Sequence, residues 1–254
     1  MPLRLPDFII GGAPRSGTTW LYHALDRHPG IAMAKPLKPE PKFFLVDDLY
    51  ARGLEYYART WFDGVPAGMM VGEKSTNYLE SPVAAERIAR DLPAVKLVFI
   101  LRDPVDRAWS NYLWSRMNGM ETGSFIDAIR SEAAREAALP PHLRYARPYS
   151  YVSRGMYADL LEPFFRLIGH DRILCLRLED VKQGKGDVLK RLHRFLNVVD
   201  RPGDADGLGR INEADGASEP VPPDCAALLA EFYTEPNRRL SKLLGKQFQP
   251  WKSR

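Results

Sequence analysis

Apolar and polar positions follow two rhythms along this chain. Five short runs, residues 8–11, 31–33, 69–72, 96–101 and 172–178, are apolar almost without interruption. That pattern predicts strands buried on both faces. Elsewhere apolar residues recur every three or four positions, over 18–27, 81–91, 105–117, 124–138, 154–168, 187–196 and 224–244, which predicts helices. Pro82 and Pro104 fall near two predicted helix starts, where proline is tolerated. Strands alternating with helices predict an α/β fold in three layers, a central parallel sheet of about five strands flanked by helices. Residues 139–151 and 200–223 break the rhythm with Pro, Gly and Asp and read as long loops.

The first strand runs into Gly11-Gly12-Ala13-Pro14-Arg15-Ser16-Gly17-Thr18-Thr19-Trp20. Strand, glycine loop, then helix is the layout of a phosphate cradle, in which backbone N–H groups and the helix dipole hold an anion. Gly12 and Gly17 keep the glycine spacing of a nucleotide-triphosphate P-loop, so the fold is expected to be P-loop-like. Thr18 stands where that motif has its lysine, and Thr19 follows. The nearest basic residue, Arg15, comes three positions earlier. The loop therefore suits a phosphate anion but lacks the lysine that reaches a γ-phosphate. A glycine-rich turn with no ligand is the alternative.

In open parallel sheets, ligands bind beyond the carboxyl ends of the strands. The first predicted strand is followed by Arg15, the second by a lysine-rich segment containing Glu40, the third by Gly72-Glu73-Lys74-Ser75-Thr76, and the fourth by Arg102. Three cations and one carboxylate at one sheet edge suit a polyanionic ligand and a general base. Each residue also has a plainer reading: Glu40 paired with Lys38 or Lys42, and Lys74 as an ordinary loop lysine.

Composition narrows the classes. The 254 residues, 45% of them hydrophobic, suit one domain spanning residues 1–254. A net charge of +4 without a long basic run argues for an anionic small ligand and against a nucleic-acid partner. Cys175 and Cys225 lie far apart, so no disulfide framework is expected. The five histidines show no ligand spacing, and no metal site is expected. Without a signal peptide or an apolar run of membrane-spanning length, a cytoplasmic protein is expected. Composition leaves the oligomeric state open.

At these residues the chain resembles a family. Pro14-Arg15-Ser16-Gly17-Thr18-Thr19-Trp20 is similar to the 5′-phosphosulfate loop of sulfotransferases that use 3′-phosphoadenosine-5′-phosphosulfate (PAPS). Leu101-Arg102-Asp103-Pro104-Val105-Asp106-Arg107-Ala108-Trp109-Ser110 is similar to their 3′-phosphate motif. Glu40-Pro41-Lys42-Phe43-Phe44 and Gly72-Glu73-Lys74-Ser75 resemble the carbohydrate-type branch, which includes heparan sulfate enzymes and bacterial relatives. The resemblance implies that Arg15, Ser16, Gly17, Thr18 and Thr19 hold the 5′-phosphate. It places Trp20 and Tyr157 by the adenine, and Arg102 and Ser110 on the 3′-phosphate. Glu40 would be the general base, with Lys74 and Arg15 stabilising the leaving adenosine 3′,5′-bisphosphate (PAP). The implied acceptor is a hydroxyl of a carbohydrate or small natural product, and the implied enzyme is soluble and bacterial.

Glu73 and His142 are rival bases, and a core position is the rival reading for Trp20. The aromatic and basic segment 142–151 is a candidate acceptor wall, although its tyrosines could equally pack the loop down. The late Arg-Lys-Gly run that closes over the 3′-phosphate in many relatives is missing; Arg210 is the nearest substitute. Two other functions compete: a P-loop kinase, with Asp103 as its magnesium-binding acid, and a module that binds PAPS without transferring from it.

Overall fold

The computed structural model describes residues 3–141, 144–209, 219–245, 248 and 251. His142 and Arg210, singled out above, lie outside the described residues. The chain divides into two compact units, Met1–Leu101 with Pro163–Ile211, and Arg102–Glu162 with Asn212–Arg254.

The first unit holds a five-stranded parallel sheet: β1 (Phe8–Gly12), β2 (Ile31–Met33), β3 (Met70–Lys74), β4 (Lys96–Leu101) and β5 (Ile173–Arg177), in the order β2-β3-β1-β4-β5. All five predicted strands are present. The chain leaves the central β1 for the far edge, returns to fill the gap with β3, then crosses to the other side of β1 with β4. That reversal opens a crevice at the carboxyl end of β1. Helices α1 (Thr18–Asp26), α2 (Asp47–Tyr50), α3 (Gly53–Phe62), α4 (Pro82–Asp91), α8 (Leu178–Gln183) and α9 (Lys185–Leu196) belong to this unit. Ile10, Leu21, Leu25, Val98, Leu189 and Leu192 form the centre of one core between the sheet, α1 and α9.

The second unit is helical, with α5 (Pro104–Met117), α6 (Phe125–Ala137) and α10 (Pro223–Leu244); α7 (Tyr157–Ile168) begins in it. Asp103 caps α5, its carboxylate accepting from Val105 N at 2.9 Å and Asp106 N at 3.4 Å. Tyr112, Phe125, Tyr151 and Tyr233 centre its core. The buried Glu132 of α6 pins the segment ahead of α7 by accepting from Tyr151 N at 2.9 Å, Val152 N at 2.5 Å and Ser153 N at 2.9 Å. Among the described residues no helix is long and apolar enough to cross a membrane.

Sequence and structure part at four places. β3 extends through Lys74, beyond the predicted end at Gly72. Helices α2 and α3 fill a stretch left unassigned. Helix α8 starts at Leu178, the last residue of the predicted fifth strand, and runs on through residues left unassigned. Helix α7 starts at Tyr157, because Ser153–Gly155 forms a 3₁₀ turn ahead of it.

Register on β3 depends on one close approach. Gly72 pairs with Phe8, and a β-carbon at Gly72 would sit 2.2 Å from Phe8 Cζ, on a ring that is itself fully buried. Gly72→Ala is expected to destabilise the protein by about 1–3 kcal/mol through overpacking, read as a lower midpoint in denaturant. An unchanged midpoint would mean that the ring moves aside without cost.

Candidate functional site

The loop after β1 stays tied to the sheet as it leaves it, Ala13 N donating to Ile100 O at 2.9 Å. It then turns through two left-handed residues, Arg15 at φ 64° and Gly17 at φ 88°. Gly17 is the N-cap of α1, and a β-carbon there would meet Leu178 Cδ1 at 2.7 Å, so backbone conformation and space both require glycine. The first N–H groups of a helix have no intrahelical partner, and here they follow a tight loop carrying Arg15, as an anion cradle requires. Ser16 and Thr18 are buried; Arg15 and Thr19 are half-buried. Trp20 is buried in the core around α1, and its indole N–H has no partner among the described residues.

β3 delivers the next groups. Lys74 stands in register with Ile10, and Ser75 N donates to Ile10 O at 3.1 Å. Glu73 and Lys74 were expected in a loop; they are the last residues of the strand and both are buried. Lys74 donates to Glu40 Oε1. The other carboxylate oxygen, Oε2, accepts from Thr76 N at 3.0 Å and Thr76 Oγ1 at 3.2 Å. With the Lys74 and Glu40 side chains only 3% and 14% exposed, the pair is shielded from water. The structure thus brings together two of the residues proposed for chemistry, and adds a third, Thr76, that sequence reasoning missed. Its signal was position: two residues beyond Lys74.

Glu73 is turned away from this pair. Fully buried, it accepts from Tyr57 OH at 2.8 Å. Burial pushes its carboxyl up to about 7; the negative charge of Glu40 adds to the rise, while the neighbouring hydroxyls of Tyr57, Tyr78 and Ser75 oppose it.

In the second unit, Arg102 follows β4 directly and Ser110 lies buried on α5. Tyr157 is buried, and its hydroxyl donates to the Arg102 carbonyl at 2.8 Å, fixing the backbone that carries that guanidinium. Arg107 is fully buried and donates to Tyr151 O. The candidate acceptor wall is divided. Tyr151 is buried and donates to Glu121 Oε2 at 2.9 Å, and Tyr149 packs under Arg135, whereas Tyr145 is exposed. Both capping bonds of Asp103, the candidate magnesium acid of the kinase reading, fall on Oδ1.

Folding also gathers His28, His193 and Asp204, a cluster that sequence spacing did not reveal. Each imidazole Nδ1 accepts a backbone N–H, from Gly30 at 3.0 Å and from Arg201 at 3.2 Å. The His28 Nε2 faces Val199 O at 2.9 Å, which places that ring's proton on Nε2, whereas His193 Nδ1 also lies 3.3 Å from Asp200 Oδ1.

Glu73 links stability to pH. Its folded pKa of about 7 lies above the ordinary 4.5, so between these values the native chain keeps a proton that the unfolded chain releases. Stability therefore falls as pH rises through that window, by on the order of 3 kcal/mol. Glu73→Gln removes this slope. The difference in unfolding free energy between variant and wild type should move in the variant's favour between about pH 4.5 and about pH 7.5. A difference constant across that window would contradict the assignment.

Comparison with known proteins bears on this arrangement. Residues 5–206 match the family model described as "Sulfotransferase domain". The chain is 29% identical over 275 aligned positions to human bifunctional heparan sulfate N-deacetylase/N-sulfotransferase 3, an alignment covering 97% of this chain and 31% of that protein. The chain therefore spans about a third of that relative's length. Its fold superposes on a crystal structure of a sulfotransferase from Alicyclobacillus acidocaldarius with a TM-score of 0.75 at 27% identity, covering 95% of this chain and 96% of the other. Mouse sulfotransferase SULT7A1, crystallised with PAP, shares the fold alone, with a TM-score of 0.51 at 18% identity over 86% of this chain and 67% of that one.

Proposed function

Because this chain belongs to the sulfotransferase domain family, we propose that it moves a sulfuryl group from PAPS to a hydroxyl of a carbohydrate or small-molecule acceptor, as one domain over residues 1–254. The observation that carries this reading is the shielded Glu40–Lys74–Thr76 constellation on the strand beside the anion loop. A general base and a cation joined in one place, next to a phosphate cradle, are what sulfuryl transfer needs.

Arg15 and the N–H groups of Ser16, Gly17, Thr18 and Thr19 hold the 5′-phosphosulfate. Arg102 and Ser110 hold the 3′-phosphate, with Tyr157 fixing the Arg102 backbone from behind. Tyr157 borders the adenine. The acceptor oxygen attacks sulfur in line with the bridging oxygen of PAPS. Its proton passes to the Glu40 carboxylate, the new O–S bond forms, and the bond from sulfur to the bridging oxygen breaks. Lys74 and Arg15 meet the charge that develops on that oxygen as PAP leaves. Lys74 serves both reactants: it orients Glu40 at rest and stabilises the leaving group in transfer. Fixed side-chain cations meet the donor's negative charge, and the nucleotide complexed with the mouse neighbour is PAP. The heparan sulfate relative supports a sugar acceptor.

Two substitutions test separate parts. Glu40→Gln should lower turnover by about 10²–10⁴-fold while PAP affinity, measured by calorimetry, stays near wild type. Turnover that survives would remove Glu40 from the role of base. Arg102→Ala should weaken PAP by about 10- to 100-fold and leave 5′-AMP nearly unchanged. Equal losses for both nucleotides would place Arg102 away from the 3′-phosphate.

A further inference from the structure

The segment that carries Glu40 hangs from two hydroxyls. Lys42 N donates to Ser75 Oγ at 2.9 Å, and Phe44 N donates to Tyr78 OH at 3.3 Å. Lys42 is left-handed, at φ 49°, so this backbone is held in a conformation that a side chain disfavours. Each hydroxyl has a lone pair taken by the loop and a proton of its own to place. Ser75 and Tyr78 are both fully buried, so no solvent is there to receive those protons.

Ser75 and Tyr78 are within hydrogen-bonding reach of one another, and Glu73 is the carboxylate within reach of both. Its carboxyl neighbours both hydroxyls and takes the Tyr57 hydroxyl on Oε2 at 2.8 Å, while Oε1 is buried with no hydrogen bond among the described residues. Hydroxyl protons rotate freely, and an orphaned carboxylate oxygen beside two unplaced protons is where they go. We propose that Glu73 is a positioning residue, its carboxylate collecting the Ser75 and Tyr78 protons and so fixing the backbone that presents Glu40. Successive residues of one strand end thus divide the work: Lys74 and Thr76 hold the Glu40 carboxylate, while Glu73 and Ser75 hold the segment that bears it.

The acceptor form is the ionised one. The groups facing Glu73 are Tyr57 from α3, Tyr78 from the 3₁₀ turn after β3, Ser75 from its own strand end and Glu40 from the suspended segment. Burial, reinforced by the Glu40 charge, holds its pKa at about 7. The protonated carboxyl has a proton of its own to place and accepts less well, so the segment is best ordered above that pH. The same ionisation costs stability, a trade met at functional sites.

Only the consequence for turnover rests on the sulfotransferase reading; the loop itself can be read directly. Hydrogen exchange by mass spectrometry on the full chain near pH 8 should show peptide 41–46 exchanging about tenfold or more faster in Glu73→Gln, with no fall in the global unfolding midpoint. Ser75→Ala should release the same peptide, and supplies the test should Glu73→Gln fail to fold. In turnover, measured as PAP released from PAPS, Glu73→Gln should be about tenfold or more slower with PAP affinity within about twofold of wild type. It should also lose a wild-type acid limb near pH 7. Peptide 41–46 as protected in both variants as in wild type would overturn the proposal, as would an acid limb unchanged in Glu73→Gln. Should wild type neither bind PAP nor consume PAPS while the exchange result holds, the sulfotransferase reading falls and the positioning role of Glu73 stands.

Discussion

The Glu40–Lys74 pair, shielded at the end of β3, is the interaction on which the proposed chemistry depends. Two charges taken out of water cost several kcal/mol each, and their attraction offsets this only when the remaining lone pairs are also satisfied. Thr76 does that for Glu40 through its N–H and its hydroxyl. The pair could not exist on a loop free to relax. It needs Lys74 to be the last residue of a central strand, in register with Ile10 and one strand away from the anion loop. The sheet order that places β3 between β2 and β1 is therefore what puts a carboxylate and a cation beside the loop after β1.

A second carboxylate beneath the first deepens this dependence. Glu73 is buried among hydroxyls at a place where its ionisation works against stability. Replacing it with an apolar residue would remove that cost and take away the carboxylate that neighbours the Ser75 and Tyr78 hydroxyls. In the second unit Tyr157 acts on Arg102 through the backbone carbonyl, as Ser75 and Tyr78 act on the segment bearing Glu40. In each unit a buried hydroxyl holds the backbone next to a residue proposed for the site.

Much of this was legible in the sequence, because apolar runs that stay buried on both faces leave little ambiguity. All five strands fall within a residue or two of the expected places, and Gly17 already marked the turn into α1. The end of β3 was misplaced because Glu-Lys looks like solvent-facing loop, and periodicity cannot see that two charges are buried against partners from elsewhere in the chain. Helix α3 was hidden by its start: Gly53 has φ 81° and no capping side chain stands before it, although Leu54, Tyr57, Ala58 and Phe62 repeat at helical spacing. The Glu40 motif was visible as a resemblance. Its attachment to Ser75 and Tyr78 was not, since Lys42 and Phe44 donate through backbone N–H groups that carry no residue signature.

The most direct test of the central claim is a calorimetric titration of the protein with PAP, with ATP–magnesium run alongside. A PAPS site of this construction predicts PAP binding at about micromolar or tighter, with ATP–magnesium far weaker, because Thr18 stands where a γ-phosphate lysine would be. Preference for ATP–magnesium would contradict the account: the loop after β1 would then be a kinase loop, and the role given to Glu40 would fall with it.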